Sequence, residues 1–267
     1  MKKLLLIACL FAALGATGQE ATQPAQQQQQ QRTNRPRRQN WTEAPHLSLD
    51  STTRGPYTLI FINNDTTFEA EGQDVKKRMI ETFYKVYTAE AKDFNPNTSK
   101  RVVFWIDRNY TGVAATGGNL VRFKPAWMLK KPTDIDVVTH EVMHIVQAYN
   151  GGAQGVGWLT EGIADYVRAV YGVDNEGAKW YLPKAVGIRP DPKNPTADIN
   201  AKGYEKSYRI TAKFLLWAEK NVKAGLVVNL DGKLRSHTYT ADGWKDYTGK
   251  TLDELWADYV AVASKEG

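Results

Sequence analysis

The sequence predicts an α+β fold in which a small twisted sheet packs on one central helix and a mainly helical half follows. Two observations predict it. Runs of β-branched and aromatic residues fall in the first half of the chain, and segments with helical spacing of apolar residues dominate the second half. With 267 residues, of which 42% are hydrophobic, the chain can bury a sizeable core.

The first eighteen residues have the pattern of a secretory signal peptide. A basic start at 1–3 is followed by an apolar run at 4–14 and by small residues at 15–18, as a cleavage site requires. The apolar run is too short to cross a bilayer, so we expect no stable membrane insertion. The only cysteine, Cys9, lies in this run, and lipidation at Cys9 is an alternative. We expect a secreted protein, periplasmic or extracellular.

Residues 19–40 are predicted to be a disordered spacer. They contain six consecutive glutamines at 26–31 and an arginine-rich stretch at 32–38, with almost no apolar side chains to offset the entropy of ordering. An alternative is that the spacer binds an anionic cell surface. Residues 1–40 hold six Lys or Arg against one Glu, and so supply nearly all of the net charge of +6. The remaining domain, 41–267, gives no reason to expect nucleic-acid binding.

The predicted elements follow from composition and periodicity. Strands are predicted where β-branched and aromatic residues cluster, at 57–62 and 102–106, and two shorter extended segments flank Gly117 and Gly118, at 112–115 and 120–123. Helices are predicted where apolar residues recur at helical spacing, at 74–91, 135–150, 160–171, 207–222 and 252–263. Thr133 or Asp134 can cap the second of these helices, and Thr160 the third. Residues 173–203 are rich in loop-forming residues.

The central motif is His140-Glu141-Val142-Met143-His144, on the helix predicted at 135–150. The two histidines lie one turn apart on one face, so both imidazoles can bind a single metal ion. Two imidazoles suit Zn2+, which can add a third protein ligand and keep one position open for water. Glu141 can face that water, accept its proton and pass it to the leaving amine. The alternative is two histidines that are one turn apart by chance.

A third metal ligand must come from elsewhere in the chain. Glu161 lies near the start of the next predicted helix, seventeen residues after His144, and Asp165 follows one turn later on the same face. One carboxylate can bind the metal while the other accepts the N–H of a liganding histidine. Spacing alone does not decide between them, and we favour Glu161 as the ligand. Two surface carboxylates that suit the helix dipole are the alternative.

Two stretches of the sequence, 140–147 and 158–168, resemble the plant basic secretory protein family and its bacterial relatives, which are regarded as zinc peptidases. The resemblance extends to 113–119 and 208–215, and so covers about residues 50–262. The Glu-x-x-x-Asp pattern is also similar to that of thermolysin-like zincins, in which the Glu is the third zinc ligand and the Asp supports a ligand. The resemblance implies a zincin-like fold with a peptide or protein substrate.

Peptide hydrolysis also needs a group that stabilises the developing oxyanion. Zincins often use a Tyr or His, and Tyr208 is the candidate because it begins the family-like helix. Tyr204 and His237 are alternatives, and an ordinary core or surface role for Tyr208 remains open. The segments around Gly117 form either an edge strand that binds substrate backbone or simply a hairpin turn.

These observations predict a secreted, monomeric zinc-dependent peptidase with Glu141 as general base. The alternative is a zinc-containing module that binds glycans or cell wall without cleaving peptides, because a fold does not fix a function. The presence of Glu141 argues against that alternative, since a purely structural metal site needs no base there. A third hypothesis is an interaction protein in which the Gln/Arg-rich tail carries the function.

Overall fold

The computed structural model of the chain describes residues 45–151, 153–183 and 202–263. The predicted signal peptide, with Cys9, and the predicted spacer lie outside the described residues. The first four residues of the predicted domain and residues 184–201 of the predicted loop region also lie outside them.

One five-stranded mixed sheet forms the first half of the domain. The spatial order of its strands is β1-β2-β3-β5-β4. Strands β2, β3 and β5 run parallel, whereas β1 pairs antiparallel with β2 and β4 pairs antiparallel with β5. The hairpin places β4 at one edge of the sheet. The strands are β1 Ser48–Arg54, β2 Tyr57–Asn63, β3 Arg101–Ile106, β4 Ala114–Gly117 and β5 Leu120–Phe123.

Helices dominate the second half of the domain. Within the described ranges, no helix combines the length and apolarity that crossing a bilayer needs. A short 3-10 helix, Gly203–Lys206, precedes the sixth α-helix. The α-helices are α1 Thr66–Glu71, α2 Gln73–Asp93, α3 Pro125–Lys130, α4 Val137–Gln147, α5 Gly157–Tyr171, α6 Tyr208–Asn221, α7 Leu226–Arg235, α8 Gly243–Thr248 and α9 Leu252–Ala263.

The core lies between one face of the sheet and two helices, α2 and α4. Phe104 of β3 is fully buried between Phe83 of α2 and Phe123 of β5, with ring centroids 5.5 and 5.1 Å away. Burying a phenylalanine contributes about 1.5–3 kcal/mol. Helix α4 also packs on β4, α2 and α5, and α5 packs on α6. This arrangement confirms the predicted α+β architecture, with the motif-bearing helix between the sheet and the helical half.

Among the strands and α-helices, five were not predicted from the sequence: β1, α1, α3, α7 and α8. Strand β1 is the clearest case, because its sequence Ser-Leu-Asp-Ser-Thr-Thr-Arg is mostly polar and exposed. Its pairing with β2, and not a hydrophobic pattern of its own, makes it a strand. Helices α1, α3 and α8 have six residues each, which is too few for apolar periodicity to be visible.

The two helices of the site begin elsewhere than predicted. Helix α4 begins at Val137 with Asp136 at its N-cap position, so neither Thr133 nor Asp134 caps it. The Asp134 carboxylate instead accepts hydrogen bonds from Arg168 Nη2 at 2.6 Å and from Trp127 Nε1 at 2.9 Å. Helix α5 begins at Gly157, so the predicted N-cap at Thr160 is also wrong.

Helix α4 also ends earlier than predicted. Its C-cap residue, Ala148, has a left-handed backbone conformation with a φ of 44°. The carbonyl of Val146 accepts a hydrogen bond from Asn95 Nδ2 at 2.8 Å, and that of Ile145 accepts one from Thr98 Oγ1 at 3.3 Å. The turn after α2 therefore provides donors that the end of a helix otherwise lacks.

Candidate metal centre

Helix α4 places two histidine side chains side by side. His140 and His144 are one turn apart, and their Nε2 atoms lie 3.2 Å from each other. Only 10% of the His140 side chain and 16% of the His144 side chain are exposed. The packing of α4 against both the sheet and α5 therefore fixes the direction in which the imidazoles point.

Helix α5 adds a carboxylate to the pair. Glu161 Oε2 lies 3.2 Å from His140 Nε2 and 3.5 Å from His144 Nε2. These three side chains are the ones in the described part of the chain whose ligand atoms converge closely enough to hold a metal ion. The structure thus brings together the three ligands that the sequence predicts.

The triangle of ligand atoms has the size of a metal site. A tetrahedral ion with bonds of about 2.0–2.2 Å, typical of zinc, separates its ligand atoms by about 3.3–3.6 Å. The observed separations are 3.2, 3.2 and 3.5 Å. His140, His144 and Glu161 could therefore hold one ion with little movement.

Asp165 fixes the tautomer of His140. Its Oδ1 lies 2.7 Å from His140 Nδ1. A carboxylate only accepts hydrogen bonds, so Nδ1 carries a proton, and Nε2 is the nitrogen that can lose its proton and bind a metal. The structure thus places Glu161 against both imidazoles and Asp165 behind one of them, in the arrangement favoured from the sequence.

Gln147 supports His144 in the same way, and the sequence analysis assigned it no role. Its Oε1 accepts a hydrogen bond from His144 Nδ1 at 2.7 Å, and its Nε2 donates to the carbonyl of Thr160 at 2.9 Å. The second bond fixes the orientation of the amide. Gln147 therefore connects the second histidine to the residue before Glu161. Its position three residues after His144, on the same helix face, is the sequence feature that could have predicted this contact.

Glu141 lines the cleft next to the triad. Thr116 of β4 lies against it, with Oγ1 2.7 Å from Glu141 Oε2 and 2.8 Å from the Glu141 carbonyl. The single hydroxyl proton can be donated to either acceptor. Thr116 therefore orients the carboxylate and ties the edge strand to α4. Thr116 lies in a stretch that resembles the family, but its position alone gave no signal of this contact.

Tyr208 is the tyrosine that the structure brings to the site. Its ring stacks on that of His140, with centroids 6.2 Å apart, and the side chain is 53% exposed in the cleft. The two rival candidates lie elsewhere. Tyr204 is buried and donates to Asp253 at 2.6 Å, and His237 Nε2 lies 2.9 Å from the carbonyl of Tyr149.

The backbone at the start of α6 is strained. Ser207 and Tyr208 have φ values of 68° and 51°, which non-glycine residues adopt at a cost. The helix that follows packs closely on α5 at Gly162, where a β-carbon would lie 2.2 Å from Cγ2 of Thr211. The absence of a side chain next to Glu161 therefore lets α6 approach α5 and brings Tyr208 over the site.

The carboxylates around His140 stabilise positive charge on its imidazole. Burial opposes the charge of His140, but hydrogen bonds to Asp165 and Glu161 outweigh it and raise the pKa of His140 to about 9. Burial also opposes the charge of Glu161, but its contacts with His140 and His144 lower the pKa of Glu161. The charge of Glu161, together with desolvation, raises the pKa of Tyr208, so its hydroxyl stays protonated at neutral pH and can donate a hydrogen bond.

A cleft of about 1110 Å³ opens over the triad, between the edge strand and the helical half. In the Gly117 region, β4 is part of a hairpin and is also an edge strand that lines the cleft, so the predicted binding of substrate backbone stays a prediction. In an antiparallel pair, alternate residues bond to the partner strand. Because Val113 bonds to Lys124, the residues of β4 that bond to β5 are Ala115 and Gly117, and the N–H and carbonyl of Thr116 point away from β5. Tyr110 Oη donates to the carbonyl of Ala114 at 3.0 Å. Thr116 is therefore the principal open backbone position of this edge.

The comparisons with known proteins agree with the resemblance seen in the sequence. Residues 55–259 match the model of the BSP family, described as "Peptidase of plants and bacteria". This match covers strands β2 to β5 and every residue of the triad, whereas β1 precedes it. A search of curated proteins found no match.

We predict that Gln147 contributes to metal affinity. Gln147→Leu removes the acceptor of His144 Nδ1 with little change in volume, so the dissociation constant for Zn2+ is expected to rise by about 10- to 100-fold. Gln147→Glu keeps an acceptor and should retain most of the affinity. Competition with a chromophoric chelator measures both constants, and circular dichroism checks the fold. Equal affinity of Gln147→Leu and the wild type would contradict the role of this hydrogen bond.

Proposed function

Because the chain belongs to the BSP family, the peptidases of plants and bacteria, we propose that it is a secreted zinc peptidase whose ion is held by His140, His144 and Glu161. The observation that carries this proposal is the convergence of two imidazole nitrogens and one carboxylate oxygen within 3.5 Å of one another. Zinc in such a site supplies a Lewis acid that polarises a carbonyl and lowers the pKa of water. Family membership also indicates a peptide or protein substrate.

Glu141 is the general base in this proposal. It follows the first ligand on α4 and lies in the cleft, where Thr116 holds one of its carboxylate oxygens. The other oxygen is left to accept the proton of the attacking water. The same carboxyl group then gives that proton to the leaving amine, which is the usual double use of one acid–base residue.

Tyr208 donates to the oxygen on which negative charge develops. Its hydroxyl has no hydrogen-bond partner among the described residues and, as a phenol, is protonated at neutral pH. A donor held in place before the reaction costs no reorganisation when the charge appears. The strained turn at 207–208 and the stacking on His140 support this position.

The edge strand β4 holds the substrate backbone. The open N–H and carbonyl of Thr116 can pair with one residue of an extended peptide. The Thr116 side chain meanwhile contacts Glu141, so the paired residue lies close to the base. Strand pairing thus places the scissile bond beside the groups that act on it.

Replacing the base tests the chemistry. Glu141→Gln keeps the size and the contact with Thr116 but cannot take up a proton, so hydrolysis should fall at least about 10³-fold while bound zinc is retained. The measurement is digestion of a diverse peptide library, read by mass spectrometry, with metal content determined in parallel. Glu71→Gln, an exposed change on α1, is the matched control. Near-wild-type cleavage by Glu141→Gln would contradict the mechanism.

Replacing the tyrosine tests oxyanion stabilisation separately. Tyr208→Phe keeps the ring over His140 but removes the donor, so kcat is expected to fall by about 10- to 100-fold with KM changed less than about threefold. Steady-state kinetics on one good substrate from the library separate the two constants. Tyr181→Phe, at a tyrosine outside the lining of the cleft, serves as control. An unchanged kcat in Tyr208→Phe would contradict oxyanion stabilisation by the Tyr208 hydroxyl.

A further inference from the structure

The walls of the cleft carry four basic side chains that the proposed chemistry does not use. Lys131 follows α3, Arg168 lies on α5, Lys179 lies in the loop after α5, and Arg209 follows Tyr208 on α6. They come from separate elements and converge on one cavity, so they are not a single charged helix face.

The carboxylates that line the cleft are all engaged within the protein. Glu161 and Asp165 contact the imidazoles, and Glu141 contacts Thr116. Asp134 accepts hydrogen bonds from Arg168 and Trp127. Arg168 is therefore neutralised by Asp134, and its guanidinium also stacks on the ring of Trp180, 4.5 Å from the centroid.

The other three cations have no carboxylate partner in the part of the chain that the structure describes. Lys131, Lys179 and Arg209 are all exposed. Within the described ranges, Arg209 donates one side-chain hydrogen bond, from Nη1 to the neutral carbonyl of Tyr181 at 3.4 Å. A guanidinium bound this way keeps most of its donors free, in the planar fork that matches a carboxylate.

We propose that Lys131, Lys179 and Arg209 select substrates that present a carboxylate near the scissile bond. The inference rests on the proposed peptidase function and deepens it by giving the substrate class. A cleft focuses the field of its charges, so unpaired cations there act on a bound anion more strongly than cations on an open surface. The carboxylate has two possible sources, an Asp or Glu side chain and the free C-terminus of the substrate.

Matched peptides distinguish the two sources. One set varies Glu against Gln at each position near the scissile bond, with the C-terminus amidated. The other set has no acidic side chain and compares a free C-terminus with an amidated one. The expected result is a kcat/KM about tenfold higher for the acidic member of at least one set, with a preference that shrinks as salt rises. A ratio of one in both sets contradicts the inference.

Charge-removing variants locate the preference. Arg209→Gln, Lys131→Gln and Lys179→Gln should each move the acidic-to-neutral ratio towards one, and the triple variant should abolish the preference. Lys130→Gln, an exposed lysine beside Lys131 that does not line the cleft, should leave the ratio at its wild-type value. A triple variant that keeps the full preference would overturn the assignment to these residues.

Binding measurements keep the inference separate from the proposed function. Zinc-loaded Glu141→Gln is titrated with fluorescent acidic and neutral peptides, and anisotropy gives the ratio of their dissociation constants. Tighter binding of acidic peptides to a protein that in its wild-type form cuts none would contradict the peptidase function and support the inference. Cleavage of many peptides without any preference in binding would support the peptidase function and contradict the inference.

Discussion

The convergence of three electron-rich atoms is the constraint on which the rest of this site depends. Two imidazole nitrogens and a carboxylate oxygen lie within 3.5 Å of one another. Asp165 and Gln147 each accept a hydrogen bond from the Nδ1 of one histidine, so both Nε2 atoms face the same point. At such distances these atoms repel one another unless positive charge lies between them, either a proton on His140 or a bound metal ion. The fold thus holds three side chains in a geometry that suits a metal ion.

Each half of the domain contributes a different part of the site. The sheet half supplies the edge strand and, through Thr116, an anchor for Glu141, the proposed base. The helical half supplies Glu161 from α5 and Tyr208 from α6, and Gly162 allows those two helices to approach closely. Helix α4 packs on both halves, so its side chains are held from two sides. This division also explains why the cleft opens between the halves, directly over the triad.

Periodicity predicted the long elements and the triad well, because repeated apolar spacing and the i, i+4 histidines are local properties of the chain. The polar strand β1 was missed, since its pairing with β2 is not local. The predicted N-cap at Asp134 was wrong because the Asp134 carboxylate accepts hydrogen bonds from Arg168 and Trp127 instead. No local sequence pattern indicates either contact. The role of Gln147 was not predicted. Its spacing from His144 is visible in the sequence, but its contact with the carbonyl of Thr160 forms only when α4 and α5 pack together.

X-ray absorption at the zinc edge of the purified, zinc-loaded protein can identify the atoms that bind the ion. A metal centre built from His140, His144 and Glu161 predicts one ion per chain, with two imidazole nitrogens and carboxylate oxygen at about 2.0–2.2 Å. It also predicts that the spectrum of His144→Ala loses one imidazole contribution and that zinc affinity falls sharply. Coordination by oxygen alone, or a spectrum unchanged in His144→Ala, would contradict a metal centre built from His140, His144 and Glu161.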